Sequence, residues 1–327
     1  MQTEKRKWKL RLVQFAVLSA LFLFVLAGIF AYLVFTRFHF STQTTWPLAQ
    51  LQWAHQTVVE FDGDPPQIIG HRGSGLSSSG GDLIIGNTHT AISKGIGAGV
   101  DWIEIDIRAS SDDHLVVFHD RNINKKTNGT GAVAETSLAD LKAVEVNVEP
   151  PESIPTLDEI FRDFRSENVK WILDIKTRGI HDLVLKWVDD KIALGKLSGD
   201  QMIIFGTYDV LKDYKDAGYS LGYTAIWGNA ENRSRILFRQ SQIIDSCRSL
   251  NCDYLVLPVI FASSSLIGTA KSNGIDVWVY GIDDKRDFNY LAKRGVNGFI
   301  VDHPQKITIV GDQDVAESDN NAVGGSR

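Results

Sequence analysis

The chain has 327 residues, and its 34 lysines and arginines are outnumbered by 40 aspartates and glutamates, for a formal net charge of -6. That length holds one large α/β domain or two small ones, with room for a sizeable core either way. The acidic balance and the lack of a long basic run exclude nonspecific nucleic-acid binding, so a phosphate-bearing ligand must be met by local positive charge.

Residues 1–11 form a basic terminus with Lys5, Arg6, Lys7, Lys9 and Arg11, and residues 12–35 contain no Asp, Glu, Lys, Arg or His. As a helix this stretch extends about 36 Å, enough for a hydrocarbon core of roughly 30 Å, and a transmembrane helix is expected. Arg37 is the one Lys or Arg between it and Glu60, so the amino end is expected in the cytoplasm and the rest outside. The stretch exceeds the apolar core of a signal peptide, about 7 to 15 residues, and no small-x-small site follows Phe35, which favours an uncleaved anchor. Residues 36–65 read as a juxtamembrane stalk, with Trp46 and Trp53 suited either to the interface or to packing under the following domain.

From Gln67 onward, short β-rich runs alternate with segments of helical length. The candidate strands are Ile68-Ile69, Trp102 to Ile107, Leu115 to Phe118, Lys170 to Ile175, Met202 to Phe205, Leu221 to Ile226, Tyr254 to Leu257, Asp276 to Tyr280 and Gly298 to Val301. Helical candidates between them include Thr88 to Ala98, Thr156 to Ser166, Ile180 to Leu194, Tyr208 to Ala217, Arg233 to Leu250, Ser263 to Asn273 and Asp284 to Lys293. The alternation predicts parallel β/α units. Only Arg108 to His114 separates the second and third strands, too few residues for a parallel crossover, so that pair should be a hairpin turning at Asp112-Asp113, with Asp106 roughly opposite His119. Removing the extra hairpin strand leaves eight parallel strands over residues 66–306. The expected fold is α/β, a (β/α)8 TIM barrel behind an N-terminal single transmembrane helix. Residues 307–327, rich in Asp, Asn, Gly and Ser from Gly311 onward, are expected to be a disordered tail.

Cys247 and Cys252 are the only cysteines. A disulfide and a pair of buried thiols are both compatible with their spacing, and two cysteines without a histidine cluster make a weak zinc site.

Three clusters close apolar stretches: His71-Arg72-Gly73, Glu104-Ile105-Asp106 and Phe118-His119-Asp120. Strand geometry points Glu104 and Asp106 to one face roughly 7 Å apart, suited to two oxygen donors on one hard cation. In a β/α barrel the carboxyl ends of the strands form the active face, and His71, Asp106, Asp174 and Lys176 fall at such ends. Asp174 adds a third carboxylate for Mg²⁺ or Ca²⁺, although Asp174 and Lys176 alone are equally compatible with a barrel-end ion pair. Phosphodiester cleavage needs a clamp for the phosphoryl oxygens, a base and an acid. Arg72 and Lys176 supply the charge, and His71 and His119 supply an acid–base pair whose division of labour stays open.

These residues resemble the glycerophosphodiester phosphodiesterase family. His71-Arg72-Gly73, Gly99-Val100-Asp101, Glu104-x-Asp106, Ser110-x-Asp112, Val117-Phe118-His119-Asp120, Thr127-x-Gly129, Ile154-Pro155-Thr156-Leu157, Leu173-x-Ile175-Lys176, Val277-Trp278 and Gly295-x-x-Gly298-Phe299-Ile300-x-Asp302-x-Pro304 follow that family's order and spacing. The resemblance implies a metal-dependent barrel that hydrolyses glycerophosphodiesters to glycerol 3-phosphate and an alcohol. It implies His71 and His119 as catalytic pair, Glu104, Asp106 and Asp174 as metal ligands, Arg72 and Lys176 on the phosphate, and Trp278 as pocket floor, the last being equally compatible with a barrel-core aromatic. Ile85-Gly86-Asn87-Thr88 departs from the family's Pro-Glu-Asn-Thr, Asp174 stands where Glu is commoner, and the Ser- and Gly-rich loop Ser74 to Leu83 is long and should hang over the pocket mouth. Asp174 in this position also resembles the sphingomyelinase D enzymes. The alternatives are a lysophospholipase D or phospholipase C-like enzyme on a lysolipid-like diester, and a catalytically silent barrel that binds phosphate ligands at the membrane.

Overall fold

A computed structural model describes residues 19, 22–29, 57–61, 65–75, 85–165, 167, 169–225, 240–282 and 285–311. Most of the expected span 12–35 lies outside the described residues. Within it residues 22–29 are helical, and among the described residues no helix is long and apolar enough to cross a membrane. Residues 312–327 of the expected tail also lie outside the described residues.

Eight parallel strands close into a barrel. In chain order they are β2 (Gln67–Gly70), β3 (Trp102–Ala109), β7 (Lys170–Ile175), β8 (Met202–Gly206), β9 (Ser220–Thr224), β10 (Tyr254–Pro258), β11 (Asp276–Tyr280) and β12 (Gly298–Val301), and the ring closes through β12–β2 and β2–β3. Period-2 alternation divides their side chains into two populations. Ile103, Ile105 and Ile107 of β3 and Trp171, Leu173 and Ile175 of β7 point outward into the layer shared with the helices. Ile69, Trp102, Ile172, Ile203, Phe205, Val256, Trp278 and Ile300 fill the interior.

The helices begin where the sequence offers N-caps. Thr88 caps α1 (His89–Gly97) by accepting from Ala91 N, Thr156 and Glu159 form a capping box on α3 (Leu157–Asp163), and Ser263 caps α7 (Ser264–Ser272). Between them lie α4 (His181–Ala193), the single turn α5 (Tyr208–Leu211) and α6 (Gln240–Ser249), and α8 (Lys285–Ala292) precedes the last barrel strand. Each overlaps its expected segment, with α5 markedly shorter.

The expected hairpin forms with β4 (Leu115–Val117) antiparallel to β3, but one residue out of the anticipated register. Ile107 pairs with Val117, so Phe118 N donates to Asp106 O at 2.9 Å and His119 lies one position further on. Asp113 takes up the turn with φ 61°, one of the few left-handed non-glycine residues. Beyond β4 the chain builds a unit that the strand–helix alternation does not anticipate, because its strands β5 (Glu145–Val146) and β6 (Glu152–Ser153) have two residues each. With α2 (Leu138–Ala143) it encloses a second core of Phe118, Ile123, Val133, Leu141, Val146 and Ile154 against Ile85 and Val116. A pairing also invisible in the sequence joins β1 (Thr57–Phe61), inside the expected stalk, to β13 (Ile307–Gly311), at the start of the expected tail, as parallel partners.

Cys247 at the end of α6 and Cys252 before β10 are joined as a disulfide, which decides between the two readings of that pair.

Two interior glycines seat two aromatic rings. A Cβ on Gly222 would lie 2.1 Å from Phe205 Cε1, and one on Gly298 would lie 2.9 Å from Trp278 Cδ1 and Nε1. Phe205 and Trp278 in turn pack with ring centroids 5.6 Å apart. Gly222→Val forces this ring stack apart and is expected to lower stability by about 1–3 kcal/mol, read as a lower urea midpoint at unchanged slope.

Candidate active site

The mouth of the barrel at the carboxyl ends of the strands holds a cavity of about 230 Å³ lined from every barrel strand or the residues just after it. Three inward-pointing carboxylates cluster there, Glu104 and Asp174 lining the cavity and Asp106 buried beside them, each offering an oxygen within 4.8 Å of the others. Glu104 and Asp106 are alternate residues of β3, and Asp174 is in register with Asp106 on the neighbouring β7. Adjacent parallel strands and period-2 alternation suffice to bring the three together.

Cations press on this cluster. Lys176 Nζ lies 3.0 Å from Asp106 Oδ1 and also pairs with Asp174 Oδ2. Arg72 turns at φ 53°, which directs its N–H onto Glu104 Oε2 at 2.7 Å and brings its Nε 3.0 Å from Asp106 Oδ2. Burial and the neighbouring Asp106 charge push the Glu104 carboxyl up to about 7. Burial opposes ionisation of Asp106 as well, but Lys176 and Arg72 outweigh it and hold that carboxyl below the usual range. Burial likewise works against the Lys176 ammonium, yet Asp174 and Asp106 raise it above the ordinary lysine value.

Each histidine is held by a carboxylate through Nδ1. His71 is 2.6 Å from Asp302 Oδ1, and His119 is 2.6 Å from Asp120 Oδ1. Burial works to lower His71, but the Asp302 hydrogen bond and the Glu104 charge prevail and raise it above the ordinary histidine range. For His119 burial prevails over the charge of Asp106 and the Asp120 hydrogen bond, and its pKa is lowered. The His119 carbonyl accepts from Arg108 Nε and Nη2 at 2.9 and 2.7 Å, which fixes the backbone after the hairpin.

All the expected residues except Trp278 line the cavity or, like Asp106, anchor those that do. Trp278 does not floor the pocket. It is fully buried in the interior against Phe205, Trp102 and Tyr254, and Tyr280, two residues along the same face of β11 and so about 6.6 Å nearer the mouth, lines the cavity instead. Two positioning residues escaped the sequence reading. Asn87, at φ 67°, donates from Nδ2 to Asp106 Oδ2 at 2.7 Å and accepts from Asp106 N at 3.0 Å. Asp302 orients His71 across 231 positions of sequence. Both belong to quoted motifs, but nothing local to either identifies its partner. The departure at Gly86 has a steric counterpart: a Cβ there would lie 2.5 Å from Arg72 Cβ, so the side chain of Arg72 occupies the space a larger residue would need. From residue 76 on, the long loop expected over the mouth lies outside the described residues.

A parallel barrel whose mouth concentrates two imidazoles, three carboxylates and two cations around one small cavity is built for phosphate-ester chemistry, and the protein is a phosphoric diester hydrolase. The profile of the glycerophosphoryl diester phosphodiesterase family matches residues 71–306, and the chain belongs to that family. It is similar to a glycerophosphodiester phosphodiesterase of Caldanaerobacter subterraneus, 25% identical over 251 residues that span 73% of this chain and 95% of that one. A lysophospholipase D of Rattus norvegicus is 24% identical over 205 residues, 59% of this chain and 51% of that one. Among solved structures, an Oleispira antarctica phosphodiesterase in complex with the product sn-glycerol-3-phosphate superimposes with a TM-score of 0.59 at 23% identity, covering 78% of this chain and 97% of that one.

Proposed function

We propose that the protein hydrolyses glycerophosphodiesters to glycerol 3-phosphate and an alcohol, with His71 and His119 as the acid–base pair and a divalent cation, Mg²⁺ or Ca²⁺, held by Glu104, Asp106 and Asp174. The observation that carries the reading is that both histidines, each held by an aspartate, line a single cavity together with Glu104 and Asp174, with Asp106 offering an oxygen within 4.8 Å of those two carboxylates. The donor set suits a hard cation: it is all oxygen, from three buried carboxylates that each offer an atom within 4.8 Å of the others. When bound, such an ion supplies Lewis-acid polarisation of the phosphoryl group and neutralises its charge.

The side chains divide the remaining work. Arg72 and Lys176 place fixed positive charge beside the carboxylates, where a phosphate meets it. Because each imidazole engages its carboxylate through Nδ1, Nε2 is left to face the substrate. The two rings are displaced to opposite sides of the ordinary histidine pKa, which favours His71 as proton donor to the departing alkoxide and His119 as acceptor of the proton from water.

The reading also places the barrel outside the cytoplasm on an N-terminal anchor. It is supported by the uncharged run 12–35, the outward-facing Phe22, Leu23 and Phe24 within it, and a disulfide of the kind an oxidising compartment maintains.

The test is a phosphodiester panel on the purified full chain with Mg²⁺ or Ca²⁺, with product identification. Glycerol 3-phosphate released from deacylated phospholipid headgroup esters or polymeric glycerophosphates is the expected result. No glycerol phosphate from any diester, with the protein folded, refutes the proposal. Turnover confined to lysophospholipids points to the lysophospholipase D alternative, which the similarity to the rat enzyme favours, and a cyclic phosphate product to the phospholipase C-like one.

A further inference from the structure

Thr127-x-Gly129 takes no part in the site described above, yet it fixes the residue beside it. Thr127 Oγ1 donates to Ile123 O at 2.9 Å and accepts from Gly129 N at 3.1 Å, and a Cβ on Gly129 would lie 2.4 Å from Val144 Cγ1. Ile123 is buried in the second core and opens a short 3₁₀ turn, Ile123–Lys125. Lys126 follows that turn: its N–H donates to Ile123 O at 3.2 Å, and its carbonyl accepts from Asn147 N at 2.9 Å. Paired on both sides, its backbone is held by the unit inserted after β4.

The Lys126 side chain is only 15% exposed, and its Nζ lies 3.8 Å from Asp120 Oδ2. The other oxygen, Asp120 Oδ1, is 2.6 Å from His119 Nδ1. Lys126, Asp120 and His119 thus form a row, of which only His119 lines the cavity. Burial and the Arg72 charge both lower the Lys126 pKa, against the attraction of Asp120 and Asp106. A cation kept at such a place, where an apolar side chain of the same length would avoid the penalty, points to work for its charge. The other histidine lacks this arrangement: among the described residues no lysine or arginine forms an ion pair with Asp302.

We propose that Lys126 is a positioning residue for the acid–base chemistry: by attracting Asp120 Oδ2 it keeps Oδ1 on His119 Nδ1, so that the opposite nitrogen of the ring stays turned to the cavity. The inference rests on the phosphodiesterase reading and adds to it what the inserted unit does for catalysis. The carboxylate torsion of an aspartate is broad, so one contact leaves the group free to turn and a second on its other oxygen fixes it. Small displacements of a catalytic group are expensive, about 10²-fold in rate for 1 Å.

The experiment measures kcat and KM on glycerophosphocholine and on bis(p-nitrophenyl) phosphate for the full chain, Lys126→Met, His119→Ala and the double variant. Lys126→Met is expected to lower kcat about tenfold with KM little changed, and to cost nothing further once His119 is alanine. Three results overturn the proposal: wild-type kcat in Lys126→Met; a raised KM at unchanged kcat, which makes Lys126 a direct ligand of the ester; or the same loss in the His119→Ala background, which shows that the effect bypasses the ring. Should Lys126→Met not fold, Lys126→Gln gives the same comparison. A wild type that cleaves neither diester removes the phosphodiesterase reading and this inference with it, whereas an active wild type matched by Lys126→Met removes only this one.

Discussion

Replacing His119 with alanine is expected to lower kcat on a glycerophosphodiester by about 10²- to 10⁴-fold, the range typical of a lost general acid or base. The expectation follows from a ring held 2.6 Å from Asp120, with its other nitrogen free for the substrate and its pKa below the ordinary value, so that the neutral form is present to accept a proton. His71→Ala should match it on an alkyl diester but differ when the leaving group is varied. If His71 protonates the departing alkoxide, a diester of p-nitrophenol, whose anion leaves without a proton, recovers most of the activity of His71→Ala and little of that of His119→Ala. Rates of both variants on both diesters check the assignment. The reverse pattern exchanges the two roles, and full activity in either variant removes that histidine from the chemistry.

Chelation of divalent cations is expected to abolish turnover, with activity restored by Mg²⁺ or Ca²⁺, and Asp106→Asn should not be rescued by either. Asp106 is the most tightly surrounded of the three carboxylates: Lys176 and Arg72 flank it, and Asn87 both donates to and accepts from it. The substitution removes a ligand charge and leaves two buried cations facing a neutral amide, so the loss should exceed the 10- to 100-fold typical of disturbing an outer partner. Asn87→Ala supplies that milder comparison, with metal affinity weakened and turnover recovered at high cation concentration. Titration of each variant with Mg²⁺ and Ca²⁺ by calorimetry, alongside activity, separates the two cases. Undiminished turnover after exhaustive chelation overturns the metal proposal.

Much of this site was legible because barrel chemistry is written locally. Glu104 and Asp106 fall on one face by strand alternation alone, and Asp174 and Lys176 close a strand whose apolar pattern is plain. The helix starts were legible for the same reason, since Thr88, Thr156 and Ser263 are caps that act within their own turn. The hairpin slipped by one residue because the turn decides register, and Asp113 in the left-handed region shifts it by a step that composition does not reveal. Trp278 was readable as inward-facing but not as to depth, which depends on how far β11 rises beside its neighbours.

By itself, then, the sequence determined the number and order of the barrel strands, the identity of the acidic, basic and imidazole groups, and the uncharged run before the barrel. These follow from periodicity, capping and charge, which act over a few residues. Only the tertiary structure decided that Asp302 holds His71, that Asn87 holds Asp106 and that β1 pairs with β13. Each of these depends on closing the barrel, which brings together side chains tens to hundreds of positions apart, and no local propensity encodes which distant strand end will face which.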